Sequence, residues 1–187
     1  MTNCSAGRFL HIMTIMNSNP AAKPSEPTEA DFAQSVILVV DDNQQNLELL
    51  QAYLDDLPCK IVTAADGLEA MSVVEHNSID LILLDVMMPR MSGFEVCKKL
   101  KASPATRSIP IIMVTALNEL GDIERGVESG TDDFLSKPVK KLELVTRVKS
   151  LLRVRHLKRE LDRTLAYIQR MDEQDQRQHD GEPDEQP

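Results

Sequence analysis

The sequence predicts an α/β fold: a doubly wound, five-stranded parallel sheet with an extended C-terminal helix. Short aliphatic runs of strand length alternate with segments of helical period. The connections between them are short, so right-handed crossovers place helices on both faces of a single sheet. Hydrophobic residues make up 42% of the chain and aromatics only 3%, so a sizeable core has to come from Leu, Ile, Val, Met and Ala.

Residues 1–33 are rich in Asn, Ser, Pro, Ala and Glu and carry no apolar period, which reads as a disordered leader. FLHIMTIM (9–16) mimics a signal-peptide core. It contains a His, follows one lone Arg and leads to no small-residue cleavage site, so that reading is rejected. Met13 and Met16 leave a later start open.

A domain is expected over 35–153. VILVVD (36–41) is a β-branched run bounded by acids, a buried strand. Asn43 is placed to cap a helix in which Leu47, Leu50 and Leu54 share a face, ending before Pro58. KIVTAA (60–65) is the second strand, and the following helix, GLEAMSVVEHN, is expected to bury Leu68, Met71 and Val74. DLILLD (80–85), nearly all apolar, is a third strand buried on both faces. Ser92 opens a helix carrying Phe94, Val96, Cys97 and Leu100, and IPIIMVTA (109–116) is the fourth strand. Residues 118–129 form a weak helix, interrupted by Gly121 and Gly126. DFLSK (133–137) is the fifth strand, and Leu142, Val145, Val148 and Leu152 mark the fifth helix.

In such a fold the chemistry sits at the carboxyl ends of the strands. There the sequence places Asp41 and Asp42 after the first strand, Asp85 after the third, Thr115 after the fourth, and Lys137 with Pro138 after the fifth. Any one acid after a strand is an ordinary turn or cap residue. A hydroxyl, an ammonium and three carboxylates on one rim are not accounted for that way. Adjacent carboxylates repel unless positive charge sits among them. Mg²⁺ suits them, as a hard cation with oxygen ligands that also helps to hold phosphate oxygens. Lys137 and Thr115 can then reach two further phosphoryl oxygens, and Asp85, central among the acids, is the candidate nucleophile.

VVDDN (39–43), LLDVMMPRMSGFE (83–95), MVTA (113–116) and DDFLSKP (132–138) resemble the signature set of bacterial response-regulator receiver (CheY-like) domains, over about residues 36–153. The resemblance implies a flavodoxin-like fold, a phosphoacceptor at Asp85, and a histidine kinase or histidine phosphotransfer protein as donor. It also implies Mg²⁺ held by Asp42, Asp85 and the Met87 backbone carbonyl, with Asp41 acting through metal-bound water. Thr115 and Phe134 match the switch residues, Lys137 the phosphate-contacting lysine, and Pro138 the residue after a cis peptide. A surface around the fourth and fifth helices and the C-terminal helix would switch, controlling partner binding or dimerisation. The chain itself is expected to be no enzyme beyond its own phosphorylation and slow dephosphorylation. Met87 and Leu117 would flank the acyl phosphate, and neither can orient an attacking water.

The last helix continues as an extension over 154–175. Val154, Leu157, Leu161, Thr164, Ile168 and Met171 recur every three or four residues, an imperfect heptad seam. A two-stranded coiled coil, giving a homodimer, is the preferred reading; a single amphipathic helix, folded back on the domain or frayed, is the alternative. The basic stretch Arg153, Arg155, Lys158, Arg159 and Arg163 reads as a solvated face. Residues 176–187 read as a disordered acidic tail. No second globular pattern follows, so the output is expected to be a contact with a downstream protein.

Several classes are set aside. A net charge of −9 argues against nucleic acid as a partner. No apolar run approaches the roughly 18 residues of a membrane span, so neither a membrane nor any site but the cytoplasm is expected. Cys4, Cys59 and Cys97 are far apart and read as reduced thiols. A phosphatase using an aspartyl nucleophile often has a second Asp two residues on, where this chain has Met87, and no GxxxxGK[ST] loop supports a nucleotide hydrolase. A receiver that binds partners without phosphorylation is a third alternative, and the complete acidic cluster argues against it.

Overall fold

The computed structural model describes residues 32–116 and 126–179, with side chains as far as Met171. Five strands, β1 (Val36–Val40), β2 (Lys60–Ala64), β3 (Leu81–Asp85), β4 (Ile111–Thr115) and β5 (Asp133–Ser136), form one sheet in the order β2-β1-β3-β4-β5. Every pairing is parallel. The helices are α1 (Gln44–Leu54), α2 (Gly67–His76), α3 (Gly93–Ala102), α4, described over 126–129, and the long α5 (Lys141–His179).

Because strand side chains alternate, each strand feeds two cores. Leu38, Val40, Ile82, Leu84, Ile111 and Met113 face α2 and α3, where Ala70, Val74, Val96, Cys97 and Leu100 cover them. Ile37, Val39, Leu81, Leu83, Ile112 and Val114 face the other way, under Leu47, Leu50 and Leu54 of α1 and Leu144, Val148 and Leu152 of α5. Leu83 in the central strand is fully buried. Leu83→Ala is expected to cost about 2–5 kcal/mol, read as a lower midpoint in urea denaturation.

Local signals set the helix starts. Asn43 caps α1 by accepting from the Gln45 backbone N–H, Asp66 caps α2 through Leu68 and Glu69, and Ser92 with Glu95 forms a capping box on α3.

The structure departs from expectation in several places. Helix α2 buries Gly67, Ala70 and Val74, while Leu68 is 50% exposed. A Cβ at Gly67 would press on Val96 and Met91, so α2 approaches α3 on its small residues and Leu68 is turned outward. In α5 the buried row is Leu144, Val148 and Leu152; Leu142, about 200° from Leu144 around the helix, points to solvent. Phe32, placed in the leader by sequence, is buried in the core under α1 and α5. Helix α5 runs unbroken across position 153 and on to His179, into the stretch read as tail. Leu117 and Gly121 lie outside the described residues, as do residues 1–31 of the leader, Cys4 among them, and residues 180–187 of the tail.

Candidate functional site

The parallel strands deliver their ends to one rim. Asp41 and Asp42 follow β1, Asp85 closes β3, Thr115 closes β4, and Lys137 follows β5. Lys137 stands between two acids, its Nζ 2.9 Å from Asp41 Oδ2 and 2.9 Å from Asp85 Oδ1. Its backbone N–H donates to the Thr115 carbonyl at 2.8 Å, tying the ends of β4 and β5 together. The peptide between Lys137 and Pro138 is cis.

Asp41, Asp42 and Asp85 each present an oxygen within 4.8 Å of the others. Asp41 is fully buried and Asp85 nearly so, while Asp42 opens to solvent. Burial raises the Asp85 carboxyl above its ordinary value, aided by the Asp41 charge and opposed by Lys137. Burial alone would lower Lys137, but its hydrogen bonds to Asp41 and Asp85 prevail and hold the ammonium above its usual value. Three carboxylates against one ammonium leave excess negative charge on all-oxygen donors. That donor set fits a hard divalent cation such as Mg²⁺.

Asn46 escaped the sequence reading. Its Nδ2 donates to both Asp41 oxygens, at 2.9 and 3.0 Å, and the Asn43 backbone N–H donates to Oδ1 at 2.9 Å. With Lys137 on Oδ2, both oxygens of Asp41 are engaged by protein donors, so this acid is held rather than free to turn. The signal was a polar residue in the first turn of α1, directly beyond a buried acid.

The surrounding residues frame Asp85. Gly93 lies so close to the Asp85 carbonyl that a Cβ there would collide with backbone, which brings the start of α3 against the end of β3. Met87 is 65% exposed beside the acid. Phe134, half-buried, packs against the core shared with α2 and α3, and a Cβ at Gly126 of α4 would strike its ring. Among the described residues no helix is long and apolar enough to cross a membrane.

Comparison with known proteins agrees with this geometry. Residues 37–149 match the family model of the response regulator receiver domain. The response regulator PleD of Caulobacter vibrioides is 47% identical over 135 residues, which is 72% of this chain and 30% of that protein. The alkaline phosphatase synthesis transcriptional regulatory protein PhoP of Bacillus subtilis is 44% identical over 117 residues, 63% of this chain and 48% of that protein. Among solved structures, the signal receiver domain of a histidine kinase from Syntrophus aciditrophicus superposes with a TM-score of 0.61 at 37% identity, over 64% of this chain and 90% of that one. The chain thus spans 30% and 48% of the length of these two curated relatives. With a flavodoxin-like five-stranded sheet and an acidic rim at its strand ends, this chain belongs to the response regulator receiver domain family of two-component systems.

Proposed function

We propose that the domain accepts a phosphoryl group on Asp85 from a histidine kinase or a histidine phosphotransfer protein. The observation that carries this reading is Lys137 seated between Asp41 and Asp85 at a rim that also holds Asp42 and Thr115. An Asp85 oxygen attacks phosphorus, one P–O bond forms, and the bond to the donor breaks with its electron pair leaving on the donor. Lys137 neutralises one phosphoryl oxygen and the Thr115 hydroxyl donates to another. Mg²⁺, when bound by Asp42, Asp85 and the Met87 backbone carbonyl, offsets the remaining negative charge. Asp41, whose oxygens already accept from Asn46, Asn43 and Lys137, acts behind a water rather than as a direct ligand.

Thr115 and Phe134 are the switch. Drawing the Thr115 hydroxyl toward the phosphoryl group frees space for the half-buried ring, and the surface around α4, β5 and α5 changes with it. The output is a contact with a downstream protein, with a homodimer formed through α5. The domain lies over 35–153 with the extension beyond it, in the cytoplasm, and the chain turns over no external substrate.

Uptake of one phosphoryl group from acetyl phosphate with Mg²⁺, followed by intact mass, tests this directly. Asp42→Ala is expected to weaken Mg²⁺ binding and phosphoryl uptake together, by roughly tenfold or more, because a direct ligand is lost. Normal uptake by this variant at low Mg²⁺ would move the cation elsewhere.

A further inference from the structure

Arginines on α5 that read as a solvated face are in contact with the domain. Arg155 Nη1 donates to the Ser108 carbonyl at 2.8 Å and to Ser108 Oγ at 2.6 Å. One turn on, Arg159 Nη1 pairs with Asp80 Oδ1. Asp80 is buried, and its other oxygen accepts from the Val36 backbone N–H at 3.0 Å. Arg155 is buried enough that its Nε lacks a partner among the described residues. These contacts lie at the amino-terminal ends of β1, β3 and β4, the base of the sheet, opposite the acidic rim.

The two arginines continue the buried row of α5. Leu144, Val148, Leu152, Arg155 and Arg159 follow one another by three or four residues, along one side of the helix. The apolar stripe Val154, Leu157, Leu161, Leu165 and Ile168 runs roughly 140° away around it. These five side chains are 44–60% exposed, and Met171 at the end of the stripe is 50% exposed. Written as heptads, with Val154 and Leu161 at a, Arg155 falls at b and Arg159 at f, the positions farthest from the seam.

We infer that the extension has two opposed working faces: Arg155 and Arg159 fasten one to Ser108 and Asp80 at the base of the sheet, and the apolar stripe on the other takes the same stripe of a second copy. A helix of 39 residues is about 58 Å long, and from Leu161 to Met171 every side chain but the half-buried Ala166 is exposed. In proteins most helical stability comes from packing of an amphipathic face. The other full-length helices described here have only 10 or 11 residues, too short to match this stripe. Among the described residues no other helix can match the stripe, and spacing by three and four lets a second copy meet it residue for residue. The arginines fix the direction in which the helix leaves, so the two domains sit at set positions outside the coil. Asp80 immediately precedes β3, the strand that Asp85 closes, so that strand joins the fastening to the acceptor.

The inference rests on the dimer proposed above and is independent of the Asp85 chemistry. Its test uses the full chain with and without acetyl phosphate and Mg²⁺. Sedimentation equilibrium should show a dimer in at least one state, retained in Arg155→Gln/Arg159→Gln and lost in Leu161→Glu/Ile168→Glu. Small-angle scattering of the dimer should then give a larger maximum dimension and a broader distance distribution for the arginine variant. Asp80→Asn should reproduce that broadening, and adding Arg159→Gln to it should add little. Arginine-variant scattering identical to wild type overturns the fastening. A wild-type monomer in both states, or a dimer that survives the double Glu substitution, overturns the second face. Phosphoryl uptake on the same samples is expected to be equal in all of them; its absence throughout would refute the Asp85 reading and leave both faces standing.

Discussion

Asp85→Asn protein is expected to take up no phosphoryl group from acetyl phosphate and Mg²⁺ while remaining folded. An amide lacks the nucleophilic oxygen, and neither Asp41, with both oxygens engaged, nor exposed Asp42 is seated like Asp85 at the centre of the rim. Without metal, the same substitution is expected to stabilise the fold. The folded Asp85 carboxyl lies above its unfolded value, so its contribution is favourable below the unfolded value and is lost as pH rises through the folded one. At neutral pH the ionised group is therefore a net cost, led by burial, and a neutral amide relieves it. A higher melting temperature is expected at neutral pH, the difference shrinking toward acid pH. Acid-labile label on the variant would place the acceptor elsewhere.

Wild-type phosphoryl protein is expected to decay slowly, and Met87→Glu roughly 10 to 100 times faster. Hydrolysis needs a water aligned behind phosphorus, and positioning supplies much of the catalysis of phosphoryl transfer. Met87, 65% exposed beside Asp85, carries no group to orient that water. A Glu there supplies an acceptor for its proton, while Thr115 and Lys137 keep their places. Decay of label on purified protein with Mg²⁺, both forms side by side, measures it. Equal rates would show that position 87 does not control the water.

How much of this was legible in the sequence follows from the range of each interaction. The five parallel strands and the gathering of Asp41, Asp85, Thr115 and Lys137 on one rim followed from apolar runs and short connections, since parallel strands present their carboxyl ends on the same side; the order of the strands did not follow from those signals. Caps at Asn43 and Ser92 were readable because they act over two or three residues. What escaped depends on distance or on small size. Leu68 and Leu142 looked like core because large apolar residues at helical spacing usually are. The true faces were set by Gly67 and Ala70, which let α2 come close, and by Leu144. Phe32 was hidden in a polar leader. Arg159 lies 79 residues from Asp80 and Arg155 lies 47 from Ser108, so no local pattern announced either contact.

The most direct test of Asp85 as phosphoacceptor is to trap the acyl phosphate. Wild-type protein is treated with acetyl phosphate and Mg²⁺, reduced with borohydride, digested and sequenced by mass spectrometry. The account predicts a single reduced residue, at position 85, formed only when Mg²⁺ is present. Reduction at Asp42 or any other position in place of 85, or label independent of Mg²⁺, would contradict it.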